Sequence, residues 1–600
     1  MSGKRVKEFE LIIQNKFNMY NSLFLNLPYR KVSNIGMLIP LLTEVCKAGL
    51  ESGSDPLQIM DNFFATHANL KTEQEKIDFM FRVIQYVERQ VVLYDSVEDA
   101  AFPKMKELGD YLLVKDFFQL LNNKKNWDRI SEKLSTFSSR LVLTAHPTQF
   151  YPPSVLNIIR NLRAHISENN IDEIDVILQQ LGLTSLMNSE KPTPLEEAKN
   201  IIYFLRNVYY HSIGDFYAYL KKNIHNKDFN NPDIIKLGFW PGGDRDGNPF
   251  VTSDITMDVA NELRMTLMKC YYQDIKILQQ KLTFRGVEGI LSDLRRSVYP
   301  TMFDPSKTIS FDDLISPLHA IRDLIINKYH SQYLADLDNF IDKVNIFKTN
   351  FATLDIRQDH SIHLKVMEAI LQQAGLINKG IDELSKDELK SILLHKKIDV
   401  GQMEFQEDIV QDTVKNIMQL QLIQQKNGEE GCNRYAISNS EDIFSVLFVY
   451  AFFRWCWNGD KIPFDIVPLF ETMEGMNNSE QVMRELFDTP EYRTHVKGRQ
   501  NKQTIMLGFS DGTKDGGYLK ANWEIFKTKE HLSAVCDQND IKAIFFDGRG
   551  GPPARGGGKT HRFYASQSQK ISNNEIQLTI QGQTITSTYG TKEQFTHNCE

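Results

Sequence analysis

Apolar residues recur every three or four positions along most of the chain. LQIMDNFF, FMFRVIQYVERQVV and IIYFLRNVYY show this spacing, which is typical of amphipathic helices. Eight short runs rich in β-branched or aromatic residues interrupt the pattern, and each has about the length of a strand. The runs are LVLTA (141–145), IIKLGFW (234–240), FATLDI (351–356), RYAIS (434–438), FDIVPLF (464–470), TIMLGF (504–509), IKAIFF (541–546) and IQLTI (576–580). Because helical stretches separate most of them, the pattern predicts a parallel sheet in which strands alternate with helices.

Polar, charged and glycine-rich residues follow most of these runs. HPT follows the first, PGGDRDGNP the second, RQD the third, ET the fifth, SDGTKDGG the sixth and DGRGG the seventh. Turns are polar in any fold, but the carboxyl ends of the strands carry the active site in a (β/α)₈ barrel. We therefore predict an α/β barrel of eight parallel strands embedded in a predominantly α-helical chain. Residues 1–139 would form an N-terminal helical region, and residues 140–600 the barrel with large helical insertions.

Composition narrows the functional classes. The 600 residues carry a formal net charge of −8, whereas nucleic-acid-binding domains are usually strongly basic. The six cysteines show no CxxC spacing and are typical of buried thiols in a reducing compartment. The charged N-terminus does not resemble a signal peptide, and the most apolar run, Ile443 to Phe453, is too short to span a bilayer. The sequence predicts a cytoplasmic protein.

The segment FFDGRGGPPARGGGKTHRF (545–563) contains six glycines, Arg549 and Arg555. Its GGGKT ending suggests a nucleotide P-loop, but Pro553 stands where that motif needs its first glycine, and proline has no N–H to offer a phosphate. Guanidinium groups bind carboxylate or phosphate through paired donors, and glycines allow close approach. The segment is either a lid over a small anion or a solvated surface loop.

The acidic turn GGDRDGNP (242–249) suggests a calcium-binding EF-hand loop. That loop needs glycine at its sixth position, and Gly247 is fourth from Asp244, so the EF-hand interpretation fails. We expect a tight turn whose acids orient neighbouring side chains.

Five further residues at strand ends are candidates for chemistry. His146 follows the first run and is suited to proton transfer near neutral pH, although a lone histidine is often structural. Glu471 and Asp511 at two other ends suit Mg²⁺, which accepts carboxylate, water and substrate oxygens; each could instead cap the next helix. Lys514 and Arg357 add positive charge. Together these residues predict a site for a small, multiply anionic substrate bound through a divalent ion.

The motifs taken together resemble those of the phosphoenolpyruvate carboxylase family. VLTAHPT, GGDRDGNP, LDIRQ, PLFET, SDGTKD and FDGRGG…RGGG occur in that family's order over roughly Leu141 to Gln583. The resemblance implies a parallel barrel, usually in a homotetramer, that uses Mg²⁺ or Mn²⁺. It implies carboxylation of phosphoenolpyruvate by bicarbonate to oxaloacetate and phosphate, which feeds the tricarboxylic acid cycle. The implied small-molecule partners are phosphoenolpyruvate and bicarbonate, with no nucleic acid and no membrane.

The resemblance also implies catalytic roles. Bicarbonate would attack the phosphoryl group and give carboxyphosphate and the enolate of pyruvate. His146 would take the proton from carboxyphosphate and so release CO₂ beside the enolate. Lys514 would be the second catalytic group. Arg555 would lie on the mobile glycine-rich loop, whose closure excludes water and prevents protonation of the enolate to pyruvate.

By the same resemblance, Arg357, Arg549 and Arg555 would bind the substrate, and Glu471 and Asp511 would hold the metal. The chain departs from the family at Asp547, where histidine is usual. An aspartate beside Arg549 would add negative charge at an anion site. Two further departures are Pro552-Pro553-Ala554 in the loop and Gln149-Phe150-Tyr151 after TAHPT.

Family members continue for a few hundred residues beyond the point where this sequence stops. We therefore expect a C-terminally truncated record of a divergent bacterial-type member. That missing part would carry a further phosphate-binding arginine and a feedback-inhibition site for acidic metabolites. One alternative is a catalytically inactive family member that acts as a scaffold or regulatory subunit. Another is a different barrel enzyme acting on phosphoenolpyruvate, such as a phosphotransferase.

Overall fold

The computed structural model describes residues 2–25, 35–68, 70, 72–108, 127–145, 151–186, 191–224, 229–457, 459, 461–549, 560–571 and 574–599. These residues fall into two compact units, one within 1–117 and 149–191 and the other within 118–148 and 192–599. The predicted boundary at residue 139 remains a prediction. None of the helices in the described ranges is long and apolar enough to cross a membrane.

The described part of the first unit is helical. Its helices are α1 (Ser2–Leu25), α2 (Ile35–Glu51), α3 (Pro56–Phe63), α4 (Glu73–Leu108), α6 (Pro153–Glu168) and α7 (Ile171–Leu183). Phe24, Phe63, Tyr86, Leu162 and Leu178 belong to one buried apolar core of this unit. The unit therefore has a hydrophobic core of its own, as an independent domain requires.

A closed barrel of parallel strands forms the centre of the second unit. Its strands are β1 (Ser138–Leu143), β2 (Ile235–Phe239), β3 (Thr353–Asp359), β4 (Arg434–Ser438), β5 (Asp465–Phe470), β6 (Lys502–Gly508), β7 (Lys542–Gly548) and β8 (Glu575–Ile580). Each strand pairs with the next in chain order, and β1 pairs with β8 from Ser138↔Glu575 to Leu143↔Ile580. All eight predicted runs are strands, so the predicted barrel is confirmed.

Helices precede, connect and follow the strands of this unit. They are α5 (Trp127–Thr136), α8 (Pro194–Phe204), α9 (Tyr210–Asn223), α10 (Ser253–Lys281), α11 (Val287–Thr301), α12 (Phe311–Lys328), α13 (Leu334–Phe347), α14 (His360–Gln373), α15 (Lys386–His395), α16 (Asp408–Asn427), α17 (Ile443–Cys456), α18 (Met473–Phe487), α19 (Pro490–Gly498), α20 (Phe509–Gly516), α21 (Tyr518–Gln538), α22 (Thr560–Ala565), α23 (Gly582–Thr588) and α24 (Lys592–Cys599). The chain is therefore predominantly helical around its barrel, as predicted.

The barrel interior combines an apolar cluster with a buried ion pair. The cluster contains Val142, Trp240, Ala436, Val467, Leu469, Met506 and Phe546. Arg140 on β1 donates two hydrogen bonds, of 3.0 and 2.6 Å, to the carboxylate of Asp355 on β3. Gly238 on the intervening β2 leaves room for this contact, since a Cβ there would lie 2.7 Å from the Arg140 Nη2 atom. The pair links two strands that are not neighbours in the barrel.

Glycines allow close approach at the carboxyl ends of β6 and β7. A Cβ at Gly508 would lie 2.5 Å from the Cβ of Glu471, which directly follows the neighbouring strand β5. A Cβ at Gly548 would lie 2.9 Å from the carbonyl oxygen of Leu507 on β6. Real Cβ atoms essentially never make such contacts. Because glycine has no side chain, the ends of β5, β6 and β7 can lie close together, at the face that carries active sites in such barrels.

Candidate active site

The GGDRDGNP turn continues the pairing of β2 with β3 beyond the end of β2. The backbone N–H of Arg357 donates to the carbonyl of Gly243 (2.9 Å), and the N–H of Arg245 donates to the carbonyl of Arg357 (2.8 Å). A Cβ at Gly243 would lie 2.0 Å from the carbonyl oxygen of Asp355, so only glycine fits this approach. The turn thereby lies directly against the residue that the sequence singles out on β3.

The acids of this turn hold the side chain of Arg357. Its Nη1 lies 3.3 Å from Asp244 Oδ2, and its Nη2 donates to Asp246 Oδ2. The guanidinium carbon lies 5.2 Å from the ring centre of Trp240, within the range of a cation–π contact. The prediction that these acids orient a neighbouring side chain is confirmed.

Four carboxylates act on Arg357. Burial lowers the pKa of its guanidinium, but the charges of Asp244, Asp246, Glu471 and Asp511 outweigh this effect and raise the pKa above its usual value. Arg357 therefore keeps its charge, although its side chain is only 16% exposed. The charges that act on Arg357 thus come from the ends of β2, β5 and β6.

Glu471 directly follows β5 and is 7% exposed. Its Oε1 accepts the backbone N–H of Asn439 (3.0 Å). Burial raises the pKa of Glu471 to about 7; Asn439 and Arg357 oppose the shift, and the charges of Asp511 and Asp246 add to it. Glu471 is thus a buried carboxyl group close to other acids. A nearby cation would stabilise its ionised form.

Asp511 and Lys514 lie on the short helix α20, which begins where β6 ends. The ammonium of Lys514 donates to Asp511 Oδ1 (2.7 Å), and the two side chains are 63% and 49% exposed. The backbone N–H of Met473 donates to Asp515 Oδ2 (2.8 Å) and ties α20 to the start of α18. Both predicted groups are therefore at the strand end and open to a ligand.

The oxygen donors at this end of the barrel fit a hard divalent cation. Mg²⁺ is commonly bound by one or two carboxylates, with water and substrate oxygens as its other ligands. Glu471 and Asp511 supply two carboxylates near each other, and the charges of Asp511 and Asp246 add to the rise in the Glu471 pKa that burial mainly causes. Within the described ranges, no group of three or more His, Cys, Asp or Glu residues is arranged as a metal site.

Asp547 near the end of β7 is buried beside a lysine. Asp547 and Lys529 of α21 are each 1% exposed, and Lys529 Nζ lies 2.6 Å from Asp547 Oδ1, an ion-pair contact without hydrogen-bond geometry. The hydroxyl of Tyr564 donates to Asp547 Oδ2 (2.9 Å). Burial lowers the pKa of Arg549 and the charge of Asp547 opposes that effect, so Asp547 acts on Arg549 as expected, while the Lys529 ammonium offsets part of the same charge within the protein.

Arg549 lies just beyond β7, and its guanidinium carbon is 4.2 Å from the ring centre of Phe563. Two other predicted site residues, His146 and Arg555, lie outside the described residues. The structure thus gathers Arg357, Glu471 and Asp511 into one cluster and pairs Lys514 with Asp511. Arg549 lies at the end of the adjoining strand.

Comparison with known proteins identifies the family. A sequence model of phosphoenolpyruvate carboxylase matches residues 76–308 and 300–600, which together make up most of the chain. The chain belongs to the phosphoenolpyruvate carboxylase family. The family resemblance carried by the strand-end motifs is confirmed.

Curated relatives named phosphoenolpyruvate carboxylase are similar to this chain over most of its length. The protein from Nitrosomonas eutropha is 26% identical over an alignment of 526 residues that covers 76% of this chain and 56% of the relative. That from Shewanella loihica is 26% identical over an alignment of 518 residues that covers 79% of this chain and 58% of the relative. That from Trichormus variabilis is 26% identical over an alignment of 581 residues that covers 79% of this chain and 56% of the relative. The chain spans about half the length of the curated relatives it matches.

Two partners of the family motifs were missed by the sequence analysis. Asn439 follows β4 and orients Glu471 through its backbone, a contact that no side-chain pattern indicates. Lys529 did leave a signal: it lies on the apolar stripe of α21 with Ile525, Leu532 and Cys536, all of them buried. A lysine on a buried helical face needs a buried anion, and Asp547 is that anion.

Proposed function

We propose that this chain carries the barrel of an enzyme that carboxylates phosphoenolpyruvate with bicarbonate, giving oxaloacetate and phosphate. The observation that carries the proposal is the cluster of Arg357, Glu471 and Asp511, which lies at the carboxyl ends of the strands in a barrel of this family. Cations and metal-binding carboxylates side by side suit a substrate with a phosphate and a carboxylate. This activity would supply oxaloacetate to the tricarboxylic acid cycle.

In the proposed site, Arg357 binds the phosphate group of phosphoenolpyruvate. Asp244 and Asp246 hold its guanidinium in one orientation, so little side-chain entropy is lost when the ligand binds. Arg549 and Arg555 supply the other phosphate contacts. A substrate held in this way has its phosphorus fixed for attack by a bicarbonate oxygen.

Glu471 and Asp511 hold Mg²⁺ or Mn²⁺ in this proposal. The ion would stabilise negative charge that develops on the phosphoryl and enolate oxygens. Arg357 and Lys514 add positive charge at the same strand ends. His146 accepts the proton of carboxyphosphate, and closure of the glycine-rich loop that carries Arg555 excludes water while the enolate reacts with CO₂.

We propose that the whole protein acts in the cytoplasm as a homotetramer, and that its ligands are small molecules and not nucleic acid. The motif resemblance supports the assembly, and the net charge of −8 supports the absence of a nucleic-acid partner.

The proposed reaction is tested by coupling oxaloacetate formation to malate dehydrogenase and NADH. The full gene product is supplied with phosphoenolpyruvate, bicarbonate and Mg²⁺. Glu471→Gln should lower kcat/KM by about 10²-fold or more, because a metal ligand and its charge are lost. Glu480→Gln is the matched control, since Glu480 lies on the same stretch of chain and pairs with Arg484 at the surface.

The expected result is metal-dependent oxaloacetate formation by the wild type and the control variant, and little by Glu471→Gln. A folded wild-type protein that binds Mn²⁺ yet forms no oxaloacetate would overturn the proposal. That result would instead favour an inactive family member.

A further inference from the structure

Asp547, Lys529 and Tyr564 form a buried polar group behind the end of β7. Lys529 and Asp547 are each 1% exposed and 2.6 Å apart, and the Tyr564 hydroxyl donates to the second carboxylate oxygen at 2.9 Å. Burial, followed by the charge of Asp547, raises the pKa of Tyr564 well above its usual value. Tyr564 therefore stays protonated and remains a hydrogen-bond donor at physiological pH.

This group joins three elements that are separate in sequence. Lys529 lies on α21, Asp547 on β7 and Tyr564 on α22. A buried ion pair adds little net stability, but removal of one partner leaves an uncompensated charge and is strongly unfavourable. The three side chains therefore fix where α22 lies on the end of β7.

The residue next to Tyr564 contacts both sides of the proposed site. The ring of Phe563 lies 4.2 Å from the Arg549 guanidinium carbon and 5.1 Å from Lys529 Nζ. It also makes an edge-to-face contact with Phe509, the first residue of α20, with ring centres 5.6 Å apart. Helix α20 carries Asp511 and Lys514. One ring thus lies between the strand-end arginine and the helix that bears the proposed metal ligand.

We propose that Lys529, Asp547 and Tyr564 form a buried anchor that holds Phe563 against Arg549, and that Phe563 positions this guanidinium to bind the phosphate group of phosphoenolpyruvate. This inference rests on the proposed function. Stacking engages the flat face of a guanidinium and not the N–H groups through which a guanidinium binds phosphate. Lys529, Asp547, Tyr564 and Phe563 are positioning residues, because they act on the ligand through Arg549.

A double-mutant cycle between Phe563 and Arg549 tests the inference. Phosphoenolpyruvate is titrated calorimetrically against the full gene product with Mg²⁺ and without bicarbonate, so that no carboxylation occurs. Phe563→Leu should raise the Kd of phosphoenolpyruvate about five- to tenfold, the size of a lost, partly buried cation–π contact. In an Arg549→Met background the same change should leave the Kd within about twofold. A purely structural role for Phe563 would weaken binding equally in both backgrounds, which would overturn the inference.

The anchor itself is tested with Tyr564→Phe, which removes one hydroxyl and keeps the ring. The variant should weaken phosphoenolpyruvate binding about threefold or more, as the loss of one charge-assisted hydrogen bond allows, and this effect should also vanish in the Arg549→Met background. Mn²⁺ affinity, measured without phosphoenolpyruvate, should stay unchanged. Phe526→Leu is the control, because Phe526 stacks on Trp523 of α21 and belongs to no part of the anchor.

Two failures can be told apart. If the wild type binds neither phosphoenolpyruvate nor inorganic phosphate, the proposed function fails. The anchor is then judged by amide hydrogen exchange, which Tyr564→Phe should accelerate at residues 545–549 relative to Phe526→Leu. If the wild type binds phosphoenolpyruvate and the variants bind it equally well, the inference alone fails.

Discussion

At the scale of single residues, buried charges determine how the barrel is held together and how its site is organised. Acids from three strand ends raise the pKa of Arg357, and two of them also act on Glu471. Asp547 lies against the buried ammonium of Lys529. The sequence indicated Arg357, Glu471 and Asp511 through their places after strands. It could not indicate their partners, because a partner's identity depends on which strands are neighbours in the barrel.

The ion pair inside the barrel predicts a large effect of Arg140→Met on stability. The change leaves Asp355, 2% exposed, as an uncompensated buried carboxylate. Among the described residues, the indole N–H of Trp240 (3.3 Å) is then its one remaining hydrogen-bond donor. The free energy of unfolding of the barrel transition should fall by about 3–5 kcal/mol. Urea denaturation monitored by circular dichroism measures the change.

Two variants check the physical reason. Adding Asp355→Leu to Arg140→Met should recover at least half of the loss, because the stranded charge is then gone. Arg296→Met should leave stability unchanged, since Arg296 and its partner Asp293 are 74% and 70% exposed. If Arg140→Met alone is as stable as the wild type, the buried pair does not hold β1 against β3.

His363 predicts a pH dependence of stability. It is fully buried, its Nε2 lies 2.9 Å from the Tyr435 hydroxyl, and burial, together with His360 and Arg245, lowers its pKa to about 3 against the opposing charge of Asp359. Between about pH 6.5, where the unfolded histidine titrates, and pH 3, only the unfolded state binds the proton. Stability from this group is therefore present above pH 6.5 and is lost as the pH falls.

The loss should approach about 1.4 kcal/mol per pH unit below pH 6. His363→Gln should remove that part of the slope when urea midpoints are compared at pH 6.5 and pH 5. His395→Gln is the control, because the side chain of His395 is 62% exposed. An unchanged slope in His363→Gln would show that His363 is not kept neutral by the fold.

At the scale of elements, the alternation of strand-like and helical runs was sufficient to predict the barrel. Each β-branched or aromatic run became a strand, with ends displaced by up to three residues, as for β1 at Ser138–Leu143 against the predicted 141–145. The acids of the GGDRDGNP turn were predicted to orient neighbouring side chains. The pairing of this turn with β3 could not be predicted, because it depends on which strands are neighbours in the barrel. The place of Lys529 on the apolar face of α21 could have indicated a buried anion, although not which one.

The close packing of β5 against β6 predicts that Gly508→Ala disturbs the proposed metal site. Its Cβ would lie 2.5 Å from the Glu471 Cβ and 3.2 Å from the Glu471 Cα, so the strand end must shift. Mn²⁺ affinity should fall about tenfold or more, as expected when the support of a metal ligand is lost. Gly498→Ala is the matched control, because a Cβ there meets nothing within 4 Å. Equal Mn²⁺ affinity in both variants would contradict the proposed placement of the metal at Glu471.

At the scale of the whole molecule, the family model spans most of the chain, and the chain spans about half the length of the relatives. The barrel and five of the seven predicted site residues lie in the described part, whereas His146 and Arg555 lie outside it. The proposed carboxylation of phosphoenolpyruvate is therefore supported by the cluster at the strand ends, together with family membership. The composition and net charge of the chain are compatible with the barrel and the site, but neither quantity predicts them.

The most direct test of the account follows the oxygen atoms of bicarbonate. If a bicarbonate oxygen attacks phosphorus, that oxygen stays on the phosphate and the other two enter oxaloacetate. Full gene product incubated briefly with oxygen-18 bicarbonate, phosphoenolpyruvate and Mg²⁺ should therefore give oxaloacetate and singly labelled phosphate in equal amounts, as measured by mass spectrometry. Unlabelled phosphate accompanied by pyruvate would show hydrolysis by water and would contradict the carboxylase account.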